Sequence, residues 1–406
     1  NASKVDEILA ECPSLISKIV LGGPRDSWIN YDEQKLLSSP SFTTADTKAN
    51  DDALCFFTSG TTGFPKMCIH NHLYALGHTT TGQFWLDLKA DDLHWNISDT
   101  GWGKAAWSSY YGPWLCGAAI FIHHTSGFNP ERSLAMFDKY PITTFCGAPT
   151  IYRMFVQQDL SHIQFKTLRH CVGAGEPLNP EIIQVWQQAT DLIIRDGYGQ
   201  TESVILCGNM PCIEPRFGSM GKPMPGIDLA VIDEHGQIVP ANTEGDIAIQ
   251  IKNEYPVGLF KEYKGLPEKT NACFRGDWYL TGDRAKVDDD GYFWFISRAD
   301  DVILSSGYRI GPFEVESALI EHAAVAESAV VASPDKDRGE VVKAFVVLTS
   351  AYIPNDALIK ELQNHVKLVT APYKYPRLIE FVESLPKTVS GKIRRVALRQ
   401  MEFNKE

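Results

Sequence analysis

Several things are missing from this 406-residue sequence, and each absence removes a class of protein. The nine cysteines are scattered, with no CxxC and no regular spacing. A disulfide framework is denser and sits in a shorter chain, so these thiols point to a reducing compartment. No apolar run approaches the ~20 residues that cross a bilayer as a helix. Positive charge is not in excess: 38 Lys and Arg stand against 50 Asp and Glu, a net charge of −12. Such a chain repels a polyphosphate backbone unless it carries a concentrated basic patch, and the only short basic cluster is Lys392, Arg394 and Arg395. General nucleic-acid binding is therefore not expected. No signal or transit pattern opens the chain; residue 1 is Asn rather than Met, so any targeting segment is expected upstream. Internal repeats and low-complexity tracts are also absent. The pairs His70-x-His72 and His123-His124 look like fragments of metal sites but bring no Cys, Asp or Glu at ligand spacing.

What is present is ordinary globular material. Hydrophobic residues make up 44% and charged residues 22%, enough for a sizeable core and for two or three domains. Residues 53–57 (ALCFF) read as a buried strand running into a Gly/Ser/Thr loop, and 70–81 as a helix. Strands at 118–123 and 142–146 alternate with helices at 131–139 and 149–158, which predicts α/β layers on a largely parallel sheet. After about residue 218, alternating segments at 228–233, 245–251 and 291–297 lie between turns such as Asp289-Asp290-Gly291, the pattern of an antiparallel β-rich subdomain. A final unit begins near Asp300. It has Gly311-Pro312 before a helix at 313–321, strands at 325–332 and 341–348, and a helix at 357–368. The expected architecture is a large domain (1–299) of layered α/β with a β-rich subdomain, followed by a small α+β domain (300–406).

The chemistry concentrates first at 58–66, TSGTTGFPK. Thr58, Ser59, Thr61 and Thr62 supply hydroxyls, Gly60 and Gly63 let backbone N–H groups converge on an anion, and Lys66 adds a mobile positive charge. That is a phosphate cradle. It is not a Walker A loop, because Phe64-Pro65 separates Gly63 from Lys66 and no Gly-Lys-Ser/Thr opens a helix. Taken alone, such a stretch also fits a polar turn between two strands.

The string does not stand alone. GAGEP (173–177), DGYGQTE (196–202), TGD (281–283), RADDVILSSGYR (298–309) and PKTVSGK (386–392) follow it in order. Together they resemble the acyl-adenylate-forming enzymes, which include acyl-CoA synthetases, coumarate-type CoA ligases, luciferases and peptide-synthetase adenylation domains. ISDTGW (97–102), GAPTIYRM (147–154), RGEVVKAF (338–345) and TAPYKYPR (370–377) are similar to the medium-chain acyl-CoA synthetase subfamily. The resemblance covers nearly the whole chain after residue 50.

It implies ATP-dependent formation of an acyl-AMP, then transfer of the acyl group to CoA, with the small domain rotating between the two steps about Asp300. The ATP contacts it implies are Thr58 to Gly63 and Lys66, then Gly175, Glu176 and Pro177 against the adenine. To these it adds Asp196, Gly197, Tyr198, Gly199, Gln200 and Thr201, with Asp283 on the ribose and Arg298 beside it. Glu202 would hold Mg²⁺, an ion that commonly takes one or two carboxylates plus nucleotide phosphates. Thr201 and Lys392 would meet the α-phosphate and the acyl carboxylate, where fixed charge stabilises charge that develops in transit. Ser306, Gly307, Tyr308, Arg338, Tyr373, Lys374 and Tyr375 match positions toward CoA. Trp102, Gly199, Thr201 and Arg309 match positions toward the acid.

Gly199 stands where short-chain acetyl-CoA synthetases carry Trp, which implies a pocket roomy enough for a medium-chain or aromatic acid. The subfamily also implies the mitochondrial matrix. Two alternatives come with this reading: an adenylating enzyme that loads a carrier protein, and an inactive fragment acting as a binding partner. The second arises because only 57 residues precede the phosphate loop, where the family has a much longer region. A partial or truncated chain is the expectation.

Overall fold

The computed structural model describes residues 2–58, 65–125, 127–336, 338–387 and 392–404. Ser59, Gly60, Thr61, Thr62, Gly63, Ser390 and Gly391 therefore lie outside the described residues. The chain divides into two compact units, 1–48 and 49–406.

In the smaller unit, a helix (Ala2–Ile8) runs into a 3-10 turn (Leu9–Glu11), and a parallel pair (Ile19–Val20, Ile29–Asn30) precedes the helix Tyr31–Leu37. The Asn30 side chain caps that helix by accepting from the N–H groups of Asp32 and Glu33. Asp6 ties the unit across by accepting from Arg25 at 2.6 and 2.9 Å and from the Trp28 indole at 2.9 Å.

The larger unit is built on a seven-stranded sheet. Ala119–Ile120, Leu93–Asn96, Thr144–Gly147, His170–Ala174 and Ile194–Gly199 run parallel in that spatial order. Ile205–Gly208 and Lys222–Pro223 then close one edge antiparallel. Three helices cover one face, and each enters through proline: Pro130–Lys139, Pro149–Val156 and Pro180–Thr190. Proline suits the first turn because its missing N–H has no partner there anyway. Asn129 and Asn179 cap two of them at 2.8 Å. Between sheet and helices lies an aromatic core of Trp95, Phe137, Phe145, Tyr152, Phe155 and Trp186, with Trp186 stacked on Phe155 at 6.1 Å. On the opposite face Trp85 is fully buried against Gly197 and Gly208, where an added Cβ would lie 2.5 and 2.6 Å from the indole.

A five-stranded antiparallel sheet follows (Leu229–Ile232, Gly245–Gln250, Phe274–Arg275, Trp278–Val287, Phe293–Arg298), as the alternation in that region predicts. Ile303–Ser305, Tyr308–Ile310 and Leu378–Phe381 form another sheet around the hairpin of Val325–Asp335 and Gly339–Leu348. Pro312–Ile320 and Asp356–Val369 pack on one of its faces, and Leu398 of Arg395–Phe403 packs on the other. Both faces are covered, so these strands read as continuous apolar runs.

Two readings change. Residues 53–57 do form a strand (Asp52–Thr58), but it is not buried: it edges a three-stranded antiparallel sheet with Lys66–Asn71 and Glu262–Tyr263, and Ala53, Cys55 and Phe57 face outward. The helix expected at 70–81 begins only at Tyr74, because His70 and Asn71 still pair across that sheet; a π-helical turn, Thr81–Trp85, continues it.

Because Trp186 is fully buried at the centre of the aromatic core, Trp186→Ala is expected to cost about 3–5 kcal/mol, read as a lower urea midpoint. Burial also fixes a pH dependence. It lowers the pKa of His70 to about 4, of His94 to about 3 and of His170 to about 4, and raises that of Asp196 to about 8. The unfolded chain takes up histidine protons first, near pH 6.5, so stability falls as pH drops from ~6.5 towards 4. The folded chain keeps the Asp196 proton longer, so stability also falls as pH rises towards 8. Thermal melts should peak near pH ~6.5, and Asp196→Asn should flatten the alkaline side; a wild-type curve without that decline contradicts the assignment.

Candidate active site

The parallel sheet and the antiparallel sheet meet at one carboxylate. Strand Ile194–Gly199 ends in the turn that carries Gln200, Thr201 and Glu202. The Tyr198 hydroxyl donates to Asp283 Oδ2 at 2.5 Å. Gln200 Nε2 donates to the same oxygen at 2.8 Å and to the Thr281 carbonyl at 2.8 Å. Asp283 Oδ1 faces Arg298 Nε at 3.9 Å, and that Nε also donates to Asp300 Oδ1 at 3.1 Å. Burial pushes the Asp283 pKa up, against the opposing influence of Arg298, Tyr198, Gln200 and Lys392. Asp283 lies in the middle of strand Trp278–Val287, where it pairs with Arg298.

Thr201 and Glu202 are each held by their backbone. His70 Nε2 donates to the Thr201 carbonyl at 2.7 Å; a carbonyl only accepts, which sets the tautomer. The Phe260 N–H donates to the Glu202 carbonyl at 2.7 Å. Glu202 Oε1 accepts from the Tyr263 hydroxyl at 2.6 Å, and its other oxygen accepts nothing from the described residues. Lys66 sits 3.8 Å from the centre of the Tyr263 ring. At the end of strand Asp52–Thr58, the Thr58 hydroxyl is buried without a partner among the described residues.

Opposite Thr201 stands the segment Trp102-Gly103-Lys104, with Trp102 half-buried. Gly103 faces Thr201 at ordinary contact distance, 3.7 Å from where a Cβ would sit. Lys104 donates to the Ala174 carbonyl at 3.3 Å. Its pKa is lowered by burial, and Lys392 adds to the lowering. The exposed Lys392 is thus close enough for its charge to act on both Asp283 and Lys104. In the GAGEP turn, Gly175 takes φ +110°, a conformation side chains rarely adopt, and Glu176 accepts from Thr150 at 3.4 Å.

Not every expected residue lies on this surface. Asp196 is buried beneath it, its Oδ1 accepting from the Gly197 N–H at 2.9 Å, and Gly197 is pressed against Trp85. Gly199 has a local reason to be glycine besides pocket size: a Cβ there would lie 2.4 Å from the Val204 carbonyl oxygen. At Gly307 a Cβ would meet nothing within 4 Å, so close approach is not the reason for glycine; its φ of +84° is.

The positions read toward CoA lie in turns beside the final sheet, with Tyr308 at the start of one of its strands. Arg338 donates to the Ser306 hydroxyl at 3.0 Å, and Tyr308 stacks on Tyr373 at 4.4 Å and 18°. Lys374 pairs with Glu314, while Tyr375 lies between Arg377 and Lys367. Arg309 is exposed opposite Leu304. Asp300 is embraced from two sides: besides Arg298, Arg399 donates to its carbonyl at 2.9 Å and pairs with Asp301.

With this geometry in view, comparison with known proteins is decisive. Residues 1–263 match the AMP-binding enzyme family, and 314–392 match the AMP-binding enzyme C-terminal domain. This chain belongs to the AMP-binding enzyme family. Within it the chain is a member of the medium-chain acyl-CoA synthetase subfamily. It is 53% identical to the Pongo abelii protein "Acyl-coenzyme A synthetase ACSM3, mitochondrial", over 99% of this chain and 69% of that one. It is 52% identical to the Mus musculus protein "Acyl-coenzyme A synthetase ACSM4, mitochondrial", over 100% of this chain and 70% of that one. The crystal structure of the anthranilate CoA ligase AuaEII in complex with anthranoyl-AMP superposes with a TM-score of 0.90 at 33% identity, covering 98% of this chain and 76% of that one.

For a member of this AMP-binding family, the site pairs hydrogen-bond acceptors (Asp283, Glu202) with cations (Lys66, Lys104, Lys392, Arg298) around one surface. Three participants escaped the sequence reading. Lys104 sits in an apolar stretch, GKAAW, where a single lysine was the available signal. His70 drew attention only as a metal fragment, and nothing adjacent singles out Tyr263.

Asp283 is oriented by Gln200, so Gln200→Leu should raise the AMP dissociation constant roughly tenfold, the value of one hydrogen bond to a charged group. Isothermal titration calorimetry measures it; an unchanged constant would show that Asp283 is not poised for the nucleotide.

Proposed function

We propose that this chain activates a carboxylic acid with ATP and passes the acyl group to CoA. The observation that carries this reading is the convergence of Thr201, Glu202, Asp283 and the charge of Lys392 on one surface. In the first step a carboxylate oxygen of the acid attacks the α-phosphorus, and the bond to the leaving pyrophosphate breaks. In the second the CoA thiolate attacks the acyl carbon, and the bond to AMP breaks. Nothing in the site acts as a covalent nucleophile in this scheme; the residues position and neutralise.

Asp283, with Oδ2 already committed to Tyr198 and Gln200, offers its remaining acceptor capacity to ribose hydroxyls. Glu176 and the GAGEP backbone flank the adenine. Thr201 donates to the acyl carboxylate or α-phosphate, and Lys392 balances the charge that builds there. Glu202 suits Mg²⁺: it offers a hard oxygen donor with one oxygen open, and the remaining ligands would come from the nucleotide and water. The ion supplies charge neutralisation on the phosphates when bound. Residues 300–406 act as a mobile small domain about Asp300, bringing Lys392 to the site first and the Ser306–Tyr308, Arg338 and Tyr373–Tyr375 surface afterwards. Arg309 faces the acyl-adenylate, and Trp102 with Gly199 lines the acid's place. The acid is medium-chain or aromatic, in keeping with the ligase named for anthranilate above. The related proteins are named mitochondrial, and the matrix is the proposed location; no helix among the described residues is long and apolar enough to cross a membrane.

ATP–pyrophosphate exchange with a panel of acids tests the scheme. Lys392→Ala should lose exchange by roughly 10²–10³-fold, typical of removing one electrostatic stabiliser, yet keep thioester formation from supplied acyl-AMP. A clear preference for acetate over octanoate would overturn the acid assignment, and exchange surviving in Lys392→Ala would overturn the role of that lysine.

A further inference from the structure

Tyr263 has no part in the two chemical steps, yet it touches a group of each charge in the site. It is 4% exposed and anchored on every side. Strand Glu262–Tyr263 pairs antiparallel with Lys66–Asn71, placing Tyr263 opposite Cys68. Its N–H donates to Thr270 Oγ1 at 3.0 Å, and its ring packs on Phe260 at 4.8 Å. Phe260 in turn holds the Glu202 carbonyl. From that fixed seat the Tyr263 hydroxyl donates to Glu202 Oε1 at 2.6 Å, while the Lys66 ammonium rests 3.8 Å from the ring centre.

Glu202 and Lys66 carry opposite charge and meet one phenol, the first at its hydroxyl and the second over its ring, and they do not pair with each other. Left to themselves, a carboxylate and an ammonium this close would form an ion pair and cancel. The ring gives the ammonium a separate resting place of the cation–π kind. The hydroxyl donates to one carboxylate oxygen at 2.6 Å and so restrains the plane of the group. The other oxygen is then aimed and open.

We propose that Tyr263 is a positioning residue that keeps Glu202 and Lys66 apart, aiming the first at the nucleotide's divalent cation and the second at its phosphates. This rests on the reading of Glu202 as the cation's ligand. Two variants separate the two contacts: Tyr263→Phe removes the hydroxyl and keeps the ring, and Tyr263→Leu removes both.

The test measures ATP binding to the purified chain by calorimetry, in EDTA and across a Mg²⁺ series, with Mn²⁺ paramagnetic resonance as a direct readout of the ion and thermal melts as a check on folding. Tyr263→Phe should leave the melt and the metal-free ATP affinity unchanged and raise the Mg²⁺ concentration for half-maximal effect about tenfold, as loss of one hydrogen bond to a charged group implies. Tyr263→Leu should weaken metal-free ATP binding as well. Wild-type Mg²⁺ dependence in Tyr263→Phe, or an equal loss of ATP affinity in EDTA, overturns the proposal. Glu202→Gln distinguishes the two failures. If it shifts the Mg²⁺ dependence and Tyr263→Phe does not, only the positioning role falls; if it shifts nothing, the metal assignment falls and the proposal with it.

Discussion

The site depends on a single oxygen. Asp283 Oδ2 accepts from Tyr198 at 2.5 Å and from Gln200 at 2.8 Å; those donors come from the end of the parallel sheet and the turn after it, whereas the acceptor lies in the antiparallel sheet. A buried carboxylate is costly unless it is hydrogen-bonded, so these two bonds are what make its position tolerable. They lock the end of the parallel sheet to the antiparallel sheet, and the free side of Asp283 is thereby presented at a fixed place. Thr201 and Glu202 follow two and three residues after Gly199, and their placement is inherited from the same lock.

A second constraint runs from that carboxylate to Asp300. Arg298 Nε lies 3.9 Å from Asp283 and 3.1 Å from Asp300, so one guanidinium is shared between the buried carboxylate and an aspartate just before the final sheet. Arg399 grips Asp300 and Asp301 from the far end of the chain. The charge of Lys392 also bears on Asp283 and Lys104.

Much of this was legible beforehand because the chemistry is carried by short contiguous strings. Gly-rich turns, a Thr-Glu pair and a Gly-Lys near the end are local statements, and their order along the chain persists whatever the fold does. Helix entries at Pro149 and Pro312 were legible for the same reason: proline acts on its own backbone. Strand burial was less so. Residues 53–57 are apolar enough to be core, yet that strand lies at a sheet edge, and no local signal distinguishes edge from centre. Asp196 and Gly197 travelled with the motif that contains them, although their strand turns them under the surface.

By itself the sequence determined the kind of chemistry, since residue types and their order limit what can be bound and neutralised. It also determined the alternation of elements, because side-chain period is a property of the chain. Only the tertiary structure decided which groups act together. Lys104, His70 and Tyr263 lie 70, 131 and 61 residues from Ala174, Thr201 and Glu202, the positions they bond, and only folding brings them close. The physical reason is range. A turn or a cap is settled within a few residues, whereas a hydrogen bond such as Tyr263 to Glu202 exists only once two separately built sheets have closed upon each other.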